Sequence, residues 1–338
     1  MLQNTTPSVA IVGAGIAGLT LASRLQAHGV RPTVFDKGRG VSGRMSTRVT
    51  REGHTFDHGA PYFTARDPNF QEAVGSWVRK GIAGEWKAVV GTLRDGRFEV
   101  DNRKRTRYVG APSSAICQSL AEELNVRSGV AVGAAERLGD AWRLSDPEGD
   151  TLGEYDWFVT SAPAPQSAGL LAAAPRFAEQ ASATKMTGCW AVMLASEGSI
   201  DLDYDGAFVD ESPLSWVACD SSKPLRPIRI SESGETNERW VLHGSPEWSE
   251  ANIELDPAEA TRQLLDAFWQ ATGLPPRPTI YERGHRWRYA LPAEPLGDRF
   301  LLDADQRVGA CGDWCGGPRV EGAYLSGRAL ADAMLSAM

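Results

Sequence analysis

Residues 8–36, SVAIVGAGIAGLTLASRLQAHGVRPTVFD, constrain this chain more than any other stretch. A short apolar run, 8–12, leads into Gly13-Ala14-Gly15-Ile16-Ala17-Gly18. Apolar residues then recur at Leu19, Leu21, Ala22 and Leu25, as on one face of a helix. Gly29 stops that helix, and Pro32 to Phe35 reads as a second strand ending in Asp36. The order predicts a βαβ unit that binds a dinucleotide. Gly13 permits the tight turn, Gly15 lets the backbone approach a diphosphate, and Gly18 lets helix and strand pack closely. Ile16 and Ala17 open the helix, where backbone N–H groups and the helix dipole favour an anion. Asp36 is placed to accept hydrogen bonds from the adenosine ribose.

The motif alone does not separate NAD from FAD. The next stretch, KGRGVSGRMSTR (37–48), is basic and rich in glycine, and it follows the ribose-binding acid directly. Lys37, Arg39, Arg44 and Met45 are therefore candidates for a second run of contacts to the diphosphate and ribityl chain. FDHGAPYFT (56–64) resumes a strand and turns at Gly59-Ala60-Pro61 between aromatic residues. His58, Gly59 and Ala60 are candidates to lie against a flat ring. Near the other end, CGDWCGGPRVEGAYLSGRALADAML (311–335) sets glycines and an Asp ahead of an alanine-rich helix, a second candidate anion cradle.

Bulk properties narrow the classes. At 338 residues with 42% hydrophobic content, two lobes with ample core are expected. A net charge of −8 argues against a general nucleic-acid or anionic-membrane binder. Five cysteines read as reduced thiols rather than a disulfide framework, and no Cys/His cluster has metal-ligand spacing, so no metal is expected. MLQNTTPS has no basic segment followed by an apolar core, and no apolar run approaches the ~20 residues of a bilayer crossing. The expectation is a soluble, cytoplasmic protein without a membrane partner.

Taken together, GAGIAG, GRMSTR and FDHGAPYFT resemble the FAD-dependent amine-oxidase-type superfamily. VACDSSKP (217–224), WVLHGSPEWS (240–249), HRWRYALP (285–292) and VGACGDW (308–314) resemble, more narrowly, the renalases. The superfamily resemblance implies that the C-terminal Gly-Asp segment returns to the N-terminal lobe. Gly312 and Asp313 would then touch the ribityl diphosphate, and Arg319, Val320 and Ala323 would stand at a helix entrance facing the flavin pyrimidine. It also implies backbone contacts to adenine from the strand around Val130, and a strand ending at Ala162-Pro163 close to the cofactor. A positive helix end near the reduced flavin would raise its reduction potential.

The fold class expected is α/β: a Rossmann-like FAD-binding domain with a second α+β substrate domain on a mostly antiparallel sheet. The first is assigned to 1–70, 105–165 and 295–338, and the second to 71–104 and 166–294. Helices are expected over 71–80 and 112–124, the latter opened by a Ser cap, and a hairpin over 84–109 turning at RDGR. The alternating stretch 125–164 reads as a small antiparallel meander.

Hydride transfer to a flavin asks the protein to hold the donor, exclude water and tune the potential, and requires no acid–base constellation. The renalase resemblance implies non-covalent FAD and oxidation of 2- and 6-dihydro isomers of NAD(P)H to NAD(P)+, with dioxygen reduced to hydrogen peroxide. It places Tyr62, His243 and Trp287 at the substrate. His243 lies mid-strand in WVLHGSP, where a polar ring needs a partner. The alternatives are a flavin amine oxidase acting on a small amine, an isoprenoid desaturase, and a flavin-bound regulatory protein without turnover.

Overall fold

The structure, a computed structural model, describes residues 6–227 and 237–338. Strand β1 (Ser8–Val12) is SVAIV, with Val9, Ala10 and Ile11 fully buried. It pairs in parallel with β2 (Arg31–Asp36) and with Trp157–Thr160, all four residues of which are buried. Apolar on both faces, such strands belong in the middle of a parallel sheet. The complete sheet has six strands in the order 300–303, 308–311, 157–160, β1, β2, 125–128, and only the 300–303/308–311 pair is antiparallel. In register, Val12 stands opposite both Phe35 and Thr160, so β1, β2 and 157–160 end at one level. Ligands bind beyond such carboxyl ends in open α/β sheets.

Helix α1 (Ile16–Ala27) crosses back between β1 and β2. The C-terminal helix, Arg319–Ala337, lies directly on α1. Contact is close enough that a Cβ on Gly327 would sit 2.1 Å from the Ala17 carbonyl oxygen. Helix α1 and the C-terminal helix thereby form one layer on one face of the sheet. On the other face Trp142 and Leu144, from a three-stranded antiparallel sheet (134–138, 141–145, 151–155), pack with Phe35 and Phe158.

The second lobe is a seven-stranded sheet in the order 279–292, 186–196, 239–244, 214–219, 206–209, 90–94, 97–100. Every neighbouring pair is antiparallel except 206–209 with 90–94. Trp190, Val192 and Leu194 turn one face toward helix Pro257–Thr272, where Leu264 and Phe268 close a core. The alternate residues face the first lobe.

Three local expectations need comment. The hairpin turns at Asp95 and Gly96, both at positive φ, as a two-residue turn between right-twisted strands requires. The helix expected over 112–124 is confined to Ala115–Ala121, and Ser114 makes no side-chain cap. Its backbone N–H is instead taken by the Thr47 hydroxyl at 3.2 Å. The stretch 125–164 is not one meander. Asn125–Ser128 and Trp157–Thr160 join the six-stranded sheet in parallel, and only the three strands between them form an antiparallel unit. Alternation marks strands without saying which sheet they enter, so the error was one of partner.

Candidate functional site

A cavity of about 930 Å³ opens at the carboxyl ends of β1, β2 and 157–160 and reaches the facing sheet of the second lobe. Its first wall is the turn after β1. Gly13 holds φ +112°, a conformation side chains resist, and an added Cβ there would meet the Ser161 hydroxyl at 2.5 Å. A Cβ on Gly18 would lie 2.1 Å from the Gly13 carbonyl oxygen, so this glycine serves helix–strand packing and does not line the cavity. Gly15 differs from both: no atom stands within 4 Å of where its Cβ would be. The space it faces is the cavity, with Ile16 and Ala17 beside it at the start of α1. That arrangement fits a diphosphate against the turn.

Asp36 ends β2 with both oxygens in use. Oδ2 accepts from the Ala14 N–H and Oδ1 from the Gly38 N–H, each at 2.7 Å. The acid thus braces the glycine turn while still lining the cavity, as Lys37 does. Arg39 does not line it.

Arg44 and Met45 sit in a single 3-10 turn, Gly43–Met45, on the opposite wall. The Arg44 guanidinium spans both oxygens of Asp313 at 2.7 Å each and donates to the Ala290 carbonyl at 2.9 Å. Asp313 is only 5% exposed, so this fork-to-fork pair joins the basic loop to the C-terminal segment away from bulk water. Gly312, at φ +146°, precedes it, and Arg319, Val320 and Ala323 follow at the mouth of the C-terminal helix. Val130 and Ala162 complete this end of the cavity.

Residues 57–60 link the two lobes. Asp57 is buried and receives Lys223 Nζ at 3.2 Å, Arg226, the Thr47 hydroxyl at 2.7 Å and the Ser113 N–H at 3.1 Å. Asp220 takes the same lysine at 2.6 Å, so two carboxylates and two cations neutralise each other in the interior. Burial pushes the Asp57 carboxyl up, but the charges of Lys223 and Arg226 outweigh it, and the group stays ionised below its ordinary range. The His58 carbonyl accepts from Trp287 Nε1 at 2.8 Å, and the His58 backbone lies beside the His243 ring. Gly59 has no room for a side chain, since a Cβ would stand 2.0 Å from the Arg44 carbonyl oxygen, and the Ala60 N–H donates to that same oxygen at 2.8 Å.

The far wall is aromatic. His243 and Trp287 line the cavity, and so does His285, which sequence reading left unassigned. Trp287 stacks on His58 at 5.3 Å, while His285 meets both edge-on at 4.4 and 4.8 Å. Burial lowers all three histidines. His243 falls to about 4, helped by the Lys223 charge. His58 falls to about 3, with His285 and Arg48 adding to the effect, and His285 to about 4 beside Arg48 and Arg283. Each is a neutral imidazole near pH 7, able to donate one hydrogen bond and accept another. Cys189 also lines this wall, with its thiol pushed up to about 12 by burial, so it is no nucleophile.

Two further candidates, like Gly18 and Arg39, stand off the cavity lining. Tyr62 packs on Trp216 and Trp86 at 5.4 and 6.2 Å with Arg107 over its ring, one residue past Pro61, the last of that turn to line the cavity. His58 lies behind the lining, 5% exposed, and supports it through its carbonyl. Sequence reading missed Ser161, whose hydroxyl donates to the Gly13 carbonyl at 2.9 Å and so locks the turn. A small polar residue closing a buried strand was the available signal. For His285 it was position: two residues before Trp287 on one strand puts both on one face.

Among the described residues no cluster of His, Cys, Asp and Glu is arranged to hold a metal, and no helix is long and apolar enough to cross a membrane.

Residues 11–77 match the profile of the NAD(P)-binding Rossmann-like domain. A 4,4'-diapophytoene desaturase of Staphylococcus haemolyticus is 49% identical over 51 residues, a stretch covering 15% of this chain and 10% of the desaturase. Solved structures align over nearly the whole chain. A candidate protoporphyrinogen oxidase from Exiguobacterium sp. 255-15 superposes with a TM-score of 0.77 at 11% identity, covering 99% of this chain and all of the other. A putrescine oxidase with bound putrescine does so at 0.71 and 13% identity, covering 98% and 99%. The chain therefore carries an NAD(P)-binding Rossmann-like domain set in the two-lobed fold that it shares with these oxidases.

Proposed function

We propose that the protein is an FAD-dependent oxidoreductase that takes a hydride from 2- or 6-dihydro isomers of NAD(P)H, releasing NAD(P)+. The observation that carries the reading is the continuity of one cavity. It runs from the glycine turn and the Arg44–Asp313 pair to a wall of neutral imidazoles and one indole. Gly13, Gly15, Ile16, Ala17 and Asp36 would hold the adenosine diphosphate half, and Arg44, Gly312, Asp313 and the helix mouth the remainder. When bound, the flavin would supply the two-electron acceptor, regenerated by dioxygen with formation of hydrogen peroxide. FAD would be held without a covalent bond: Cys311 and Cys315 are buried, their thiols are raised by burial, and neither lines the cavity.

The chain's own work is binding and exclusion. A dihydropyridine expels hydride with the help of its ring nitrogen lone pair, so no base is required. His243, which lines the cavity beside the His58 backbone, would present a ring nitrogen to a carboxamide, and Trp287, held by the His58 carbonyl, would supply a flat apolar wall. The amine-oxidase alternative draws less support. The carboxylates lining the cavity, Asp36 and Asp313, are both engaged, while Lys37, Arg44 and Arg319 make the lining cationic. A protonated amine finds no free counter-charge there, whereas a dinucleotide's diphosphate finds several.

The test begins with colour. Purified protein should absorb as a flavoprotein and release free FAD on denaturation. Mixed anaerobically with a 6-dihydro isomer, it should bleach within seconds, and authentic 4-dihydro NADH should act far more slowly. Equal, sluggish reduction by both would remove the substrate assignment. Colourless protein that stays empty with excess FAD would remove the cofactor.

A further inference from the structure

A second cavity, about 570 Å³, lies between helix Pro68–Arg79 and the segment 104–108, separate from the dinucleotide cavity. That volume is in the range of small-molecule sites. Its floor is apolar: Val74 is buried, Tyr108 is half-buried, and Val78 is 40% exposed. The rim is cationic, with Arg66, Lys104 and Arg105 against one carboxylate, Glu85.

The charge is not what this protein's surface would provide by chance, because the chain as a whole carries −8. RKRTR (103–107) concentrates four cations in five residues, and its charges divide in two. Asp101 takes Arg103 at 2.7 Å and Arg107 at 3.6 Å, and Arg107 continues onto the Tyr62 ring. Among the described residues Lys104 and Arg105 have no carboxylate within ion-pair distance, and they line the cleft together with Arg66, which has none among them either. Thr64, Thr106 and Gln71 add uncharged hydrogen-bonding groups. Three unpaired cations converging over an apolar floor are suited to an anion that carries a flat or apolar body.

The cleft wall is also tied to the first site. The backbone N–H groups of Arg66 and Asp67 both donate to Glu321 Oε1, at 2.6 and 2.8 Å. Glu321 lies in the first turn of the C-terminal helix, between Val320 and Ala323 of the dinucleotide cavity.

We propose that this cleft is a second binding site, for a small phosphorylated molecule with an apolar ring, of nucleoside monophosphate size. The phosphate meets Arg66, Lys104 and Arg105, and the ring lies on Val74, Val78 and Tyr108. The assignment is independent of the substrate proposed for the first cavity.

Calorimetric titration of the protein, purified with excess FAD, tests it with AMP, adenosine and inorganic phosphate as probes. AMP should bind once per chain, adenosine and phosphate each at least ~10-fold more weakly, and added salt should weaken AMP. Replacing Lys104 and Arg105 by Ala should weaken AMP at least ~10-fold, and adding Arg66→Ala should abolish its binding at millimolar concentration. These side chains are exposed, so thermal midpoints should stay unchanged. No saturable AMP binding would overturn the proposal. Binding that the variants do not weaken would also overturn it, because AMP would then occupy the glycine-turn cavity. Adenosine binding as tightly as AMP would overturn the role given to the cations.

Discussion

The carbonyl oxygen of Gly13 receives the Ser161 hydroxyl at 2.9 Å and leaves no room for any side chain on Gly18. One methyl group at residue 18 would force α1 away from β1, and the turn that faces the cavity would open with it. Gly18→Ala should therefore cost about 1–3 kcal/mol, as overpacking does, and reduce dinucleotide retention although residue 18 touches no cavity space. Thermal melts and FAD content after gel filtration read the two effects. Gly15→Ala is the contrast. Its Cβ meets nothing in the protein, so the melt without cofactor should barely change while FAD content falls. Equal losses for the two variants would contradict this division. Both glycines were legible in the sequence from their spacing, but their separate duties were not. Those depend on Ser161, a residue nearly 150 positions away that only the folded sheet brings into place.

Elements meet at the segment 57–60, and the charges around it set how the lobes join. Lys223 and Arg226 come from the second lobe, and Asp57 from a two-stranded ribbon of the first. Removing one partner leaves an uncompensated charge in the interior, which typically costs about 3–5 kcal/mol. Lys223→Met should thus lower the urea midpoint strongly. Pairing it with Asp57→Asn, which restores neutrality, should recover part of the loss, and simple additivity of the two variants would contradict a shared network. This quartet was invisible in the sequence. Asp57 was read as part of FDHGAPYFT and Lys223 as part of VACDSSKP, and nothing in either stretch says that they touch across 166 positions. What the sequence did carry was local: the βαβ order and the hairpin turn at Asp95-Gly96. Partner choice was misjudged where strands of similar pattern enter different sheets, as between 125 and 160.

At the scale of the whole molecule, the wall between the lobes is built from imidazoles kept neutral, and this makes stability depend on pH in two separate windows. In the folded protein His58 titrates at about 3 and His243 and His285 at about 4, whereas in the unfolded chain each takes up a proton near 6.5. Between those values the unfolded state binds more protons, so stability must fall as pH drops from 6.5 toward 4. Asp57 acts later. Its folded pKa lies below the ordinary 3.8, so its contribution is intact above that value and fades only under more acid conditions. Urea midpoints measured at pH 7.5, 6.5, 5.5 and 4.5 should therefore fall slightly between the first two and more steeply over the last two. His243→Asn with His285→Asn should flatten that decline while leaving the acid limb below 3.8 in place. The two limbs separate because they have different causes, desolvation of a neutral ring in one and loss of a buried counter-charge in the other. A midpoint unchanged from pH 7.5 to 4.5 would mean that these rings are hydrated in solution. The dry aromatic wall on which the proposed hydride donor rests would then not exist.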